Sequence, residues 1–231
     1  MKEIKMSKII ISLSGGVDSA TALAIAKKEG HECHAVSFVY GSKHGKYENV
    51  ASSKLSTHYK LESWRKINLE TVMKDFDSHL LESGGDIPEG HYEDESMSQT
   101  VVPARNIIFS SILAGLAWSI EASEVWLGVH AGDHAIYPDC RPEFIDAMRR
   151  AIDLGTDGKV MLTAPLLHLD KKRIVELGKD LKVPFQITRT CYKKQELACG
   201  KCGSCRERLE AFSANGLLDP IQYMLSPENA I

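Results

Sequence analysis

The sequence of 231 residues has no long apolar run and no excess of charge of one sign. None of its apolar stretches approaches the ~18 residues that a membrane-spanning helix needs. Lysine and arginine number 28 against 31 aspartates and glutamates, so the chain lacks the basic excess of a protein dedicated to gripping nucleic acid. Residues 1–8 carry charges but no apolar segment of the kind found in a signal peptide. These absences predict a cytoplasmic protein whose partners are neither membranes nor nucleic acids.

Cysteine is scarce outside one short segment near the C-terminus. Four of the six cysteines fall within that segment: Cys191, Cys199, Cys202 and Cys205. In a reducing compartment such thiols are metal ligands or free thiols rather than disulfides, and four thiolates can close a tetrahedral structural zinc site. An iron–sulfur cluster is the alternative, because ferredoxins also use the spacing Cys-x2-Cys-x2-Cys. Cys33 and Cys140 stand apart, and Cys33 is expected to be a core thiol.

Apolar runs alternate with stretches of helical periodicity along most of the chain. The runs predict strands at residues 8–13, 33–40, 64–69 and 124–130, and the periodic stretches predict helices at 19–28, 46–59 and 105–122. This alternation is typical of an α/β protein with a doubly wound parallel sheet, which binds its ligand at the carboxyl ends of the strands. Residues 82–100 are polar and rich in glycine and predict a long functional loop. We expect one α/β domain over residues 1–185 and a small cysteine-containing region over 186–231.

A glycine-rich segment, Leu-Ser-Gly-Gly-Val-Asp-Ser at residues 13–19, joins the first predicted strand to the first predicted helix. Gly15 and Gly16 permit a sharp turn that brings backbone N–H groups against an anion, and the dipole of the following helix favours negative charge there. The spacing is not that of the Walker loop. Asp18 would repel phosphate unless a divalent cation lay between them, so we interpret it as a magnesium-linked residue. The segment predicts binding of a nucleoside triphosphate, with an ordinary serine-capped turn as the alternative.

Two further segments are too polar to serve packing alone. Arg105 stands in Val-Val-Pro-Ala-Arg-Asn at a predicted helix start, where it suits a phosphate or carboxylate, although a capping or surface arginine is the alternative. Residues 130–141 combine two aspartates, two histidines, Tyr137 and Arg141 after a strand end. Paired carboxylates there suit the N–H donors of a guanine-like ring. The acidic residues 90–96 are interpreted either as a lid or as a solvated loop.

Together these motifs resemble a known family over essentially the whole chain. Ser-Gly-Gly-Val-Asp-Ser resembles the pyrophosphate loop of the N-type ATP pyrophosphatases, the PP-loop superfamily. Val-Pro-Ala-Arg-Asn, Tyr-Pro-Asp-Cys-Arg and the terminal cysteines follow in the order found in the QueC family of that superfamily. The resemblance implies an adenine nucleotide alpha hydrolase-like fold and a ligase that converts 7-carboxy-7-deazaguanine and ammonia to the nitrile 7-cyano-7-deazaguanine. It also implies ATP as cosubstrate, adenylated carboxylate and amide intermediates, Mg²⁺, structural zinc and a homodimer, within queuosine or 7-deazapurine biosynthesis.

The resemblance carries roles over to particular positions. Residues expected around the nucleotide are Leu13, Ser14, Gly15, Gly16, Val17, Asp18, Ser19 and Ala20, with Phe38 and Tyr40 near adenine. Residues expected to bind the deazapurine are Arg105, Asp133, Tyr137 and Asp139. Asp18, Arg105 and Asp133 are the expected catalytic residues. Zinc is expected on Cys191, Cys199, Cys202 and Cys205.

Two positions depart from the pattern of the QueC family, and other proteins share some of these motifs. Ala104 replaces a glycine that the family often has, and His130 and His134 stand where other polar residues are common. The exact substrate contacts therefore stay open, and a divergent relative that modifies a deazapurine is an alternative. tRNA thiolases share the pyrophosphate loop but need a nucleic-acid surface. Amidotransferases with this loop usually gain ammonia from a glutaminase domain, for which the chain has no room. A zinc-ribbon binding module would explain only residues 191–205.

Overall fold

The computed structural model describes residues 6–224 and contains a five-stranded parallel sheet. The strands are β1 (Lys8–Ser12), β2 (Glu32–Val39), β3 (Ser63–Asn68), β4 (Glu124–Trp126) and β5 (Met161–Thr163), in the order β3-β2-β1-β4-β5. The predicted doubly wound parallel sheet is therefore confirmed. Since the connections turn in opposite directions on the two sides of β1, the switch point lies at the carboxyl end of β1 and β4, where such sheets bind ligands.

Seven α-helices accompany the sheet in the described part of the chain. They are α1 (Val17–Lys28), α2 (Gly45–His58), α3 (Glu70–Met73), α4 (Arg105–Ser119), α5 (Pro142–Gly155), α6 (Lys171–Asp180) and α7 (Gly203–Ser213). Short 3₁₀ helices occupy Glu95–Thr100, Ala131–Asp133, Pro138–Cys140 and Phe185–Ile187. Among the described strands, β5 is the one without a prediction, and it is only three residues long.

The strands separate two hydrophobic cores. In β1, Ile9 and Ile11 point into one core with Leu23, while Ile10 points into the other with Leu113. Successive side chains of a strand face opposite sides, so an unbroken apolar run is what a strand covered on both faces requires. This explains why polar and apolar residues do not alternate along β1.

Several element boundaries differ from their predictions. Helix α1 begins at Val17, two residues earlier than predicted, so Asp18 and Ser19 lie in its first turn. Strand β4 ends at Trp126 instead of continuing to residue 130, because the chain turns there toward a 3₁₀ helix. The long loop at 82–100 is confirmed except for its last six residues, which form the 3₁₀ helix Glu95–Thr100.

One stretch of the described residues, Glu95–Ser119, is long and apolar enough to cross a membrane by length and composition. It is interrupted at Ala104, whose backbone is left-handed with φ of 54°. The α4 part packs on the sheet through buried Leu113 and Ala117, so burial in the core accounts for its apolar character.

The cysteine-containing region packs closely on the rest of the molecule. The fully buried Arg208 of α7 donates to Asp219 at 2.6 Å and 2.9 Å, to Thr188 at 2.8 Å and to the carbonyl of Phe185 at 3.2 Å. The bond to Phe185 crosses the predicted boundary at residue 185, and α7 also packs against α6 on the other side of that boundary. The boundary remains a prediction. The outer ends of both predicted regions, and residues 1–5 of the segment interpreted as lacking a signal peptide, lie outside the described residues.

Candidate active site

The glycine-rich loop lies at the switch point of the sheet and is tied to itself by hydrogen bonds. Gly15 has φ of +91°, and a Cβ on it would lie 2.8 Å from the carbonyl oxygen of Glu48, so only glycine fits there. The Gly15 N–H donates to Ser19 Oγ at 3.2 Å, and the Gly16 N–H donates to Ser14 Oγ at 3.3 Å. The N-terminus of the twelve-residue helix α1 opens onto the same cleft. The loop therefore presents hydroxyls and a helix N-terminus to an anion.

Asp18 forms an ion pair that the sequence did not predict. The ammonium of Lys171 donates to both carboxylate oxygens of Asp18 at 2.8 Å, and His130 Nε2 lies 3.8 Å from Oδ2. Burial opposes ionisation of Asp18, but Lys171 and His130 outweigh it and the pKa of Asp18 is lowered. Burial likewise opposes the charge on Lys171, yet Asp18 and Glu207 raise the pKa of Lys171. Both groups are therefore charged near neutral pH.

Two more acidic side chains complete this end of the cleft. Glu207 Oε2 lies 3.2 Å from the Lys171 ammonium, and burial raises the pKa of Glu207 despite that cation. Asp133 Oδ1 accepts a hydrogen bond from the Tyr92 hydroxyl at 2.8 Å and lies 3.4 Å from His130 Nε2. Because His130 Nδ1 accepts from the Gly132 N–H, both ring nitrogens of His130 are engaged.

Tyr137 lies one turn after Asp133 in the lining of the cleft, within a group of buried hydroxyls. Its hydroxyl is 2.7 Å from Thr100 Oγ1 and 3.4 Å from the Tyr192 hydroxyl. Burial raises the pKa of Tyr92, Tyr137 and Tyr192, so all three keep their protons. Tyr92 donates its proton to Asp133, and Tyr137 donates to Thr100, whose own hydroxyl donates to the Met97 carbonyl. Tyr92 belongs to the acidic segment interpreted as a lid or a solvated loop, and it packs into the cleft wall.

The other predicted site residues divide between the cleft and the packed scaffold. Arg105 lines the cleft, where burial opposes its charge but Tyr40 and Asp139 raise the pKa of its guanidinium. Asp139 does not line the cleft: its Oδ2 accepts from the Asn106 N–H at 2.8 Å, and so it caps α4. The Asn106 side chain in turn donates to the Asp139 carbonyl at 3.0 Å.

The predicted adenine residues form an aromatic wall. Phe38 stacks on Phe109 with ring centroids 3.9 Å apart, and Tyr40 meets the same ring edge-on at 5.5 Å. Of the predicted loop residues, those that line the cleft are Leu13, Ser14, Gly16, Asp18 and Ser19. Gly15, Val17 and Ala20 pack behind the loop and support it.

The residues that sequence reasoning missed come from distant parts of the chain. Cleft-lining side chains without a predicted role include Lys171, His130, Glu207, Tyr92, Tyr192, His44 and Glu48. Only Tyr92 and His130 stood in segments singled out as polar. Lys171 lies 153 positions from Asp18 and follows an ordinary Asp170 helix cap, so no local pattern marks it.

The four predicted cysteine ligands converge. Their sulfur atoms all lie within 4.8 Å of one another, and all four side chains are buried. Backbone N–H groups of Cys199 and Cys202 donate to the sulfurs of Cys191 and Cys199 at 3.3 Å and 3.2 Å. This donor set can hold a metal ion. The remaining thiols do not share the arrangement: burial raises the pKa of Cys33 to about 11 and that of Cys140 well above its usual value, which makes both unreactive.

A glycine-rich loop at the switch point of a parallel sheet, facing buried charges and an aromatic wall, defines an α/β nucleotide-binding enzyme of the PP-loop class. The family model of queuosine biosynthesis protein QueC matches residues 8–216. The chain therefore belongs to the QueC family, and the predicted resemblance to an ATP-dependent synthase of queuosine biosynthesis is confirmed.

The chain matches curated relatives over nearly the whole length of both proteins. The 7-cyano-7-deazaguanine synthase of Pseudoalteromonas atlantica is 43% identical over 221 residues, which are 94% of this chain and 99% of that protein. The 7-cyano-7-deazaguanine synthase of Caldicellulosiruptor saccharolyticus is 45% identical over 217 residues, covering 94% of this chain and 95% of that one. These matches favour the QueC family over the tRNA thiolases considered as an alternative.

Two solved structures share the fold at low sequence identity. NMN synthetase from Francisella tularensis superimposes with a TM-score of 0.51 at 18% identity, over 92% of this chain and 79% of that chain. A predicted subunit of tRNA methyltransferase from Methanocaldococcus jannaschii gives a TM-score of 0.53 at 15% identity, over 95% and 93%. At these identities the likeness concerns the fold alone.

Proposed function

We propose that this protein converts 7-carboxy-7-deazaguanine and ammonia to 7-cyano-7-deazaguanine, using ATP to adenylate first the carboxylate and then the amide. The observation that carries the proposal is the match to relatives of that name over 94% of the chain, combined with the pyrophosphate loop at the sheet switch point. Carboxylate and amide oxygens are poor leaving groups, and transfer of AMP makes each a good one. We further propose that the reaction takes place in the cytoplasm.

The loop and the ion pair next to it suit the pyrophosphate leaving group. Ser14, Gly16 and Ser19 border the cleft, where preorganised donors stabilise charge as it develops on departing phosphate. Hard oxygen ligands suit Mg²⁺, and the carboxylates of Asp18 and Glu207 supply them around one end of the cleft. A bound Mg²⁺ would neutralise phosphate charge and polarise the α-phosphorus. Lys171 supplies a permanent cation at the same point.

The part of the cleft formed by Asp133, Tyr137 and Arg105 suits the deazapurine and the activated carboxylate. Asp133 is a hydrogen-bond acceptor for ring N–H groups, and the Tyr137 hydroxyl oxygen can accept from them as well. Arg105 is a permanent cation beside Tyr40 and suits the carboxylate or the α-phosphate. Asp139 is the weakest of the four predicted substrate residues, because its carboxylate already caps α4. The aromatic wall of Phe38 and Phe109 suits a stacked adenine.

We infer that the metal of the cysteine cluster is zinc. Four ligands about 2.3 Å from one tetrahedral ion lie about 3.8 Å apart, and the sulfurs of Cys199 and Cys205 are separated by 3.8 Å. An iron–sulfur cluster places inorganic sulfides between its cysteine ligands and spreads them farther. A four-coordinate site leaves no open position, so the ion serves structure rather than chemistry.

A single reaction tests the proposed function. Purified protein is incubated with ATP, Mg²⁺, ammonium and 7-carboxy-7-deazaguanine, and products are followed by mass spectrometry. We expect the nitrile, with two AMP and two pyrophosphate for each molecule formed. Accumulation of the amide or an adenylate as end product would indicate a deazapurine-modifying relative. Absence of AMP from folded, metal-loaded protein would contradict the proposal, and tRNA thiolation would be assayed next.

We also propose a homodimer. Helix α4 supports it, because its residues Ile107, Ser111, Gly115 and Trp118 are uncharged and lie on one exposed face, where the Lys159 ammonium packs over the Trp118 ring. Ile107 and Trp118 are 44% and 45% exposed on this face, which leaves apolar surface that a second copy of the chain can cover. Light scattering at micromolar concentration is expected to give twice the chain mass of 25.6 kDa. A mass of one chain would contradict the proposal.

A further inference from the structure

His44 is a buried imidazole with one free nitrogen in the wall of the cleft. It precedes α2 and is 2% exposed. Its Nε2 lies 3.5 Å from Glu48 Oε2, on the next turn of the same helix. Its Nδ1 is buried and has no hydrogen-bond partner in the part of the chain that the structure describes. A buried polar atom without a partner is costly, so such an atom in a cleft points to a ligand.

The position of His44 lies between the two halves of the cleft. Glu48 adjoins the phosphate side, because its carbonyl would lie 2.8 Å from a Cβ on Gly15. The His44 ring faces the ring of Tyr192, with centroids 5.3 Å apart. The Tyr192 hydroxyl lies 3.4 Å from that of Tyr137, on the deazapurine side. The bond between AMP and the deazapurine substituent forms where these two sides meet.

The proposed reaction requires proton removal from nitrogen, which activation by ATP does not provide. When ammonia attacks the acyl adenylate, the C–N bond forms, the C–O bond to AMP breaks, and the nitrogen gives up one proton. When the amide oxygen attacks the α-phosphorus and pyrophosphate leaves, the nitrogen loses a second proton. When AMP then leaves with the electron pair of the C–O bond, the third proton departs and the nitrile forms. A base near this nitrogen would accelerate each of these steps.

We propose that His44 is this general base, with Nδ1 accepting the proton from nitrogen and Glu48 as the residue that positions the ring. A carboxylate beside Nε2 favours the tautomer protonated there and leaves the Nδ1 lone pair as acceptor. This inference rests on the proposed function and adds a catalytic residue to it. Of the other titratable groups in the cleft, His130 has contacts at both nitrogens, and Asp18 and Glu207 form ion pairs with the Lys171 ammonium.

The test separates activation from proton removal. Exchange of labelled pyrophosphate into ATP, driven by 7-carboxy-7-deazaguanine without ammonium, reports adenylation alone, in which no nitrogen is deprotonated. Conversion of the synthetic amide to the nitrile reports the steps that need a base. For His44→Gln we expect exchange within about threefold of the unaltered protein and nitrile formation reduced by about 10²–10⁴-fold. Added imidazole should restore part of the nitrile formation of His44→Ala.

Two further variants keep the outcome decisive. Glu48→Gln leaves the ring in place and is expected to lower nitrile formation by about tenfold without changing exchange, which tests the pair even if His44 variants fold poorly. His58→Gln, on the exposed face of the same helix, is the matched control and should change neither reaction. Equal losses of exchange and nitrile formation, or no loss in either, would overturn the role of His44. Absence of exchange in the unaltered protein would instead overturn the proposed function, and the role of His44 with it.

Discussion

Asp18→Asn is expected to abolish adenylation while the protein remains folded. The substitution keeps the shape of the side chain but removes the charge that the Lys171 ammonium contacts at 2.8 Å through both oxygens. Without that carboxylate, the loop loses its proposed cation ligand and Lys171 loses the partner that orients it toward phosphate. Removing one preorganised electrostatic group of this kind typically costs a factor of 10²–10³, so we expect pyrophosphate exchange to fall by roughly a thousandfold or more.

The cost to stability should be modest and should depend on pH. In the variant, Glu207 still lies 3.2 Å from the Lys171 ammonium, so this buried charge remains paired. The free energy of unfolding should therefore fall by only about 1–3 kcal/mol at neutral pH. Because the folded protein lowers the pKa of Asp18, its stabilising charge is complete above the ordinary value of 3.8 and disappears as the pH falls through the folded value. The stability difference between the two proteins should therefore narrow in acid.

Urea unfolding at several pH values and pyrophosphate exchange measure these two effects. Asp146→Asn is the matched control, because that aspartate is 70% exposed and pairs with Arg149 outside the cleft. It should leave both exchange and stability essentially unchanged. Full exchange activity in Asp18→Asn would remove Asp18 from the proposed chemistry.

Cys202→Ser is expected to lose the metal, much of the stability and most of the activity together. Binding of a structural metal is coupled to folding, so loss of one of four ligands should cost several kcal/mol. For a chain of this length each kcal/mol corresponds to about 2–4 °C in melting temperature, and a fall of about 10 °C or more follows. Cys202 also precedes α7, which carries Ser204 and Glu207 into the cleft. Displacement of that helix would disturb the contact of Glu207 with Lys171.

Metal content by elemental analysis and thermal melting are the appropriate measurements. Cys33→Ala serves as the control, because Cys33 is a buried thiol in the other hydrophobic core. It should retain one metal ion per chain and lose only about 1 kcal/mol or less, the cost of a small buried group. A Cys202→Ser protein with one bound metal and an unchanged melting temperature would contradict the structural role of the cluster.

Features that depend on neighbouring residues were predictable before the structure was known. The unbroken apolar run of β1 predicted a strand covered on both faces, and the glycines at 15 and 16 predicted a turn against an anion. The close spacing of the cysteines predicted that their sulfurs converge. These predictions hold because strand alternation, left-handed turns and the reach of nearby ligands are set by local sterics.

Contacts between side chains that are far apart in the sequence depend on how the helices and strands pack. Lys171 reaches Asp18 across 153 positions, because α6 packs against α1. Asp139 caps α4 although its sequence neighbours predicted a substrate contact, because the same carboxylate can accept from a backbone N–H or from a ligand. The partners of His44 are likewise set by packing: Glu48 lies beside Nε2 and the Tyr192 ring lies against the imidazole, and neither side chain reaches Nδ1. Residue type limits what a side chain can do, and the packing of distant segments determines its partners.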